Sequence, residues 1–159
     1  MTRLLITDGI FGVLDDGEIP IQSIAWGNGL ASAMQSGAII TTGLHYGHVN
    51  VECESLAAKP ALGCDGAWEE IVEISITAPK ARLFVESMEN GPHSDLPMLS
   101  NEKDRSYRLR VSAKGRSAPD VEVRAEEFYK LQCWPQPPSA QCVLLSSDAI
   151  DRSIREDPL

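Results

Sequence analysis

Period-two alternation governs more of this chain than any other pattern. From His48 to Glu54, Val49, Val51 and Cys53 take one parity while His48, Asn50, Glu52 and Glu54 take the other. From Trp68 to Thr77, Trp68, Val72, Ile74 and Ile76 oppose Glu69, Glu73 and Ser75. From Tyr107 to Ala113, Tyr107, Leu109, Val111 and Ala113 oppose Arg108, Arg110 and Ser112. Such alternation sends successive side chains to opposite faces of a half-buried strand. Polar outer faces exclude an all-parallel sheet, which hides both sides. Further strands are predicted over Leu4 to Leu14 with a break at Asp8-Gly9, over Ala38 to Tyr46, Ala81 to Met88 and Glu127 to Trp134, and near Cys142 to Leu145.

One segment breaks the pattern. Between Ser23 and Gln35 the residues Trp26, Leu30, Ala33 and Met34 recur at helical spacing, Ser23 suits an N-cap and Gly37 a left-handed C-terminal position. A short helix is expected there, weakened by Gly27 and Gly29. The expected fold is therefore mainly β: an antiparallel β-sandwich of about seven to eight strands with one short helix. It forms a single domain over residues 1–150, and the charged tail 151–159 frays.

With 159 residues the chain has the length of one ordinary domain. Its 14 basic and 23 acidic residues give a formal net charge of −9, which repels phosphate backbones and anionic lipid. Nucleic acid and membrane are thus excluded as general partners. No apolar run approaches the roughly 20 residues that a membrane span needs. Asp8, Asp15, Asp16 and Glu18 spoil the N-terminus as a signal peptide, so a cytoplasmic protein is expected. There Cys53, Cys64, Cys133 and Cys142 are expected as free thiols.

Motifs for chemistry are sparse. The cysteine spacing fits no zinc module, and His45 and His48, three apart on a strand, point to opposite faces, so no metal is expected. No Gly-x-Ser-x-Gly elbow occurs, and Cys133 and Cys142 lack an activating neighbour in sequence. Gly27-Asn28-Gly29 lacks both the third glycine and the preceding strand of a dinucleotide loop. Asp15-Asp16-Gly17-Glu18 reads as a turn rather than a cation loop. The expectation is a protein without catalytic residues, metal or cofactor.

The most informative feature is electrostatic. Six acids lie between Glu52 and Glu73 against one base, Lys59, whereas Lys103 to Arg116 holds six bases and one acid. If the strands around Glu52 and Glu73 pair as a hairpin, Glu52, Glu54, Glu69 and Glu73 share an exposed face. Like charges opposed across strands cost roughly 0.2–1 kcal/mol each, a cost consistent with presenting that face to a basic partner. The basic stretch could instead neutralise the acids internally. Phe128 and Trp134 share the outward parity of their strand and offer a second contact patch.

Several segments together carry a resemblance. They are Trp26-Gly27-Asn28-Gly29-Leu30-Ala31, Ser36-Gly37-Ala38-Ile39-Ile40-Thr41, Val49-x-Val51, Tyr107-Arg108-Leu109-Arg110 and Tyr129-Lys130-Leu131-Gln132-Cys133-Trp134-Pro135. In this order they resemble a group of bacterial proteins distantly similar to competence protein J, the inhibitor of a DNA-entry nuclease. The likeness spans most of the chain, with longer loops here at Glu54 to Trp68 and Glu89 to Arg105. It implies a compact β-rich protein with an inhibitor or immunity role and supplies no inhibitory residue. The expected function is a non-catalytic binding protein for a basic nuclease or toxin, acting through Glu52, Glu54, Glu69, Glu73, Phe128 and Trp134. The alternative is a module for a small molecule or carbohydrate, with Trp68 and Trp134 as stacking groups; a hydrolase ranks below both.

Overall fold

The structure is a computed structural model and describes residues 1–63, 67–116 and 126–147. Its strands, in chain order, are β1 (Thr2–Ile6), β2 (Ile10–Asp15), β3 (Ala31–Ala33), β4 (Ala38–Thr41), β5 (Gly47–Ser55) and β6 (Glu70–Thr77). They continue as β7 (Leu83–Ser87), β8 (Gly91–Pro92), β9 (Ser106–Lys114), β10 (Phe128–Pro135) and β11 (Cys142–Leu145). They form a six-stranded sheet, β1-β5-β10-β9-β6-β11, and a five-stranded sheet, β3-β4-β2-β7-β8. The fold is mainly β, as the alternation requires.

The inner faces of both sheets supply one continuous apolar cluster. Val49 and Val51 of β5, Val72, Ile74 and Ile76 of β6, and Leu109 and Val111 of β9 all lie in it, at the parity the sequence assigns. Phe11 of β2 meets Tyr129 of β10 edge to face, with ring centroids 5.4 Å apart. Each large aliphatic side chain buried this way contributes about 1.5–3 kcal/mol. Among the described residues no helix is long and apolar enough to cross a membrane.

Three expectations need correction. The helix over Ser23 to Gln35 is absent: a 3-10 turn at Ile21–Ser23 leads into extended chain and β3. Asn28 is the cause, since its Oδ1 accepts the N–H groups of both Leu30 and Ala31. That local turn competes directly with a helix, and Gly29 at φ 74° completes it. Ser23 caps no helix; its hydroxyl donates to the Pro20 carbonyl and accepts the Gln35 N–H. The pairing is also not wholly antiparallel, because β10 runs parallel to β5, from Phe128 beside Asn50 to Cys133 beside Ser55. Finally, among the described residues eleven strands stand where seven or eight were expected, because short segments such as Ala31–Ala33 and Gly91–Pro92 also pair. The tail 151–159 lies outside the described residues.

The turns follow their residue chemistry. Asp8 and Gly9, at φ 56° and 72°, reverse the chain between β1 and β2. Asp16 and Gly17 do the same after β2. Asp15 is buried, and its carboxylate accepts the N–H groups of Lys80 and Arg82, so its oxygens fasten a neighbouring loop.

Candidate functional site

On the outer face of the six-stranded sheet, the register sets Gln132 beside Arg110 and Trp134 beside Arg108. On the other side of β9, Glu73 faces Arg110 and Ser75 faces Arg108. Alternation alone makes this a solvated row. Instead, residues 56–63 and 136–141 cross it and bring backbone carbonyls to the arginines. Arg110 Nε donates to Glu73 Oε2 at 3.0 Å, and its Nη2 to the Pro60 carbonyl at 3.1 Å. Arg108 Nε donates to Glu73 Oε1 at 3.4 Å, and its terminal nitrogens to Ser75 Oγ and to the carbonyls of Ser139 and Ala140. The Arg110 guanidinium sits 5.4 Å from the centre of the Trp134 ring, whose Nε1 donates to Gln136. Beside this network a cavity of about 460 Å³ opens between Lys59, Pro60, Leu62, Glu73, Arg110 and Leu144.

A second ion pair joins the two sheets. Arg116 Nε meets Glu70 Oε2 at 2.6 Å, and its Nη1 donates to the carbonyls of Gly29 and Thr41. Ser147 Oγ donates to the other Glu70 oxygen.

Toward the other end of the face, Lys114 Nζ lies 4.8 Å from the centre of the Phe128 ring and 5.6 Å from that of Trp68. Glu69 beside them accepts the Gly115 N–H at 2.7 Å. Glu52 and Glu54 project from β5 beyond the end of β1, whose last pair is Thr2 with Val51. Both are exposed, and Glu54 Oε1 accepts Gln132 Nε2.

The expected site residues therefore divide. Glu52, Glu54 and Glu69 are exposed and Phe128 is half-buried. Glu73 and Trp134 are buried, at 3% and 1% exposure. The hairpin that was to make one exposed face of the four glutamates is corrected: β10 and β9 lie between β5 and β6, and Glu73, on the same side of the sheet as Glu54, is buried. Internal neutralisation by the basic stretch applies to Glu73 and Glu70 and leaves out Glu52 and Glu54. Pairing of the basic stretch with the acids was the alternative the sequence offered, and Arg108 and Arg110 realise it at Glu73; the loops that bury the network were missed, although Pro135-Gln136-Pro137-Pro138 was a usable signal. Prolines keep that segment out of a sheet interior and free it to lie across a face.

Burial raises the thiols of Cys53 and Cys133, to about 11 and about 12. Burial, then the Glu127 carboxylate, push the Tyr129 phenol well above its usual range, and its hydroxyl donates to Glu127 at 2.6 Å. His45 lies 3.9 Å from Asp8, and His93 Nδ1 accepts the Asp95 N–H. Among the described residues no three His, Cys, Asp or Glu side chains are grouped to hold a metal ion. Cys64 lies outside the described residues. Comparison of the chain with protein-family models, curated proteins and solved structures finds no match.

Proposed function

We propose that the chain is a non-catalytic binding protein of the inhibitor or immunity type. It works in the cytoplasm and engages a basic protein, such as a nuclease or toxin, through Glu52, Glu54 and Glu69 around Phe128. The two sheets are read as the layers of a β-sandwich, a rigid frame for that surface. One observation carries the reading: among the described residues neither Glu52 nor Glu54 forms an ion pair, although Glu70 and Glu73 are both held by arginines. Rim charges outside an ion pair act on association rate by steering an oppositely charged partner. The resemblance to inhibitors of a DNA-entry nuclease points the same way. The carbohydrate alternative relied on Trp68 and Trp134 as stacking groups, and the burial of Trp134 beneath Arg110 removes one of them.

The test uses a basic protein captured from the native host by the immobilised parent. The variant Glu52→Gln/Glu54→Gln/Glu69→Gln, with an unchanged thermal melt, should associate with it about tenfold more slowly at low ionic strength. The gap should close as salt is added. Equal rates at low salt would reduce these glutamates to solubilising charges and refute the reading.

A further inference from the structure

The cavity at Lys59 and Arg110 has a charge balance that its own residues do not close. Among the described residues Glu73 is the sole carboxylate in this network, and three cations lie within 4.0 Å of it: Arg110 at 3.0 Å, Arg108 at 3.4 Å and Lys59 at 3.9 Å. The Arg108 and Arg110 side chains are 5% and 3% exposed, so their charge is held away from water. Buried charge of one sign calls for a compensating group. Here backbone carbonyls supply only dipoles. A local excess of positive charge on a chain of net charge −9 is the opposite of what solubility alone would place there.

The donors differ in how fully they are used. Arg108 is committed to Glu73, Ser75, Ser139 and Ala140. Among the described residues Arg110 Nη1 reaches only the Ala61 carbonyl, at a long 3.4 Å. Among the described residues Lys59 Nζ has one charged partner, Glu73 at 3.9 Å, beyond hydrogen-bond distance, and its side chain is 61% exposed. These two groups flank the same space, and both have hydrogens to give.

The rest of the wall is apolar, formed by Pro60, Leu62 and Leu144. Leu62 and Leu144 are half exposed, at 50% and 41%, at the mouth. A volume of about 460 Å³ lies within the range of roughly 300–1,000 Å³ typical of small-molecule sites. We propose that this cavity binds a small monocarboxylic acid with a hydrocarbon body. The carboxylate sits between Lys59 and Arg110, and the body lies against Pro60, Leu62 and Leu144. A single negative charge fits better than a phosphate dianion, because Arg108 stands outside the lining and the charged groups that do line the cavity, Lys59 and Arg110 against Glu73, leave an excess of one. The site is separate from the acidic surface, since Glu52 and Glu54 stand on β5 and Arg110 on β9, with β10 between.

Sodium octanoate is the probe, titrated into the full chain by calorimetry, with amide shifts recorded in parallel. One-to-one binding is expected, with the largest shifts at residues 59–62 and at Leu144. Octanol and octyl phosphate should each bind about tenfold more weakly, the loss expected when a charge-assisted contact is absent or opposed. Lys59→Glu alters an exposed side chain, so the fold survives, and it should weaken octanoate by about tenfold or more. The proposal is overturned if octanol binds as tightly as octanoate, if Lys59→Glu leaves the affinity unchanged, or if no saturable binding occurs. A leucine-ending peptide with a free carboxylate, beside its C-terminal amide, completes the set. Binding of the free-acid peptide without binding of octanoate would also overturn it, in favour of a chain terminus.

Discussion

Arg116→Met removes the guanidinium that ties the two sheets together and, among the described residues, leaves Glu70 buried with only the Ser147 hydroxyl. Arg116 is 6% exposed and Glu70 1%, so neither end is screened by solvent. Methionine keeps most of the side-chain volume, which isolates charge from packing. Breaking one half of a buried, hydrogen-bonded pair costs about 3–5 kcal/mol. The carbonyls of Gly29 and Thr41 lose their donor as well. For a chain of this size each kcal/mol lowers Tm by about 2–4 °C, so a fall of about 6–20 °C is expected. Urea unfolding followed by far-UV circular dichroism gives the free energy directly. The double variant Glu70→Leu/Arg116→Met should recover more than half of the loss, because it no longer strands a buried carboxylate. A single-variant cost below about 1 kcal/mol, or a double variant no more stable than the single, would refute the coupling.

Two further outcomes follow from backbone and thiols. At Gly37, φ is 65° and an added Cβ would sit 2.3 Å from the Val13 carbonyl oxygen, whereas Gly17, at φ 74°, has nothing within 4 Å. Gly37→Ala should therefore cost at least about 2 kcal/mol and Gly17→Ala about 1 kcal/mol, and equal melts would contradict this. Cys53 and Cys133 have folded-state values of about 11 and about 12 against 9.0, so above pH 9 the unfolded chain releases protons that the folded chain keeps. Their contribution is intact below pH 9 and lost as pH rises, so the urea midpoint should fall between pH 9 and 10. Cys133→Ala should flatten that slope, and a midpoint that holds or rises over the interval would count against buried neutral thiols.

Inward parity was readable because it depends only on the strand's own residues. Tyr107, Leu109, Val111 and Ala113 all lie in the core, and β11 runs over the same Cys142 to Leu145 that its apolar character suggested. Outward parity was not readable, because the burial of Arg108 and Arg110 is decided by segments remote from them in sequence. The helical spacing of Trp26, Leu30, Ala33 and Met34 misled for a local reason. Asn28 between two glycines offers the backbone a tighter set of hydrogen bonds, and Trp26 ends up exposed. The pairing of β5 with β10 was hidden because alternation specifies a face and says nothing about a neighbour. Lys130 stands in register with Glu52, a pairing that neither strand's own residues announce.

That pairing has a consequence for the order in which the chain can fold. Gln132 bonds to Glu54 across 78 residues, and parallel neighbours cannot be zipped together from a tight turn. β1 can close on β5 early, but the opposite edge of β5 must wait for the last third of the chain. Domains dominated by such distant pairings fold on the order of milliseconds to seconds, and an open edge is vulnerable for that long. Glutamates at 52 and 54 on the waiting strand repel other nascent copies at that edge, a service rendered before any native surface exists.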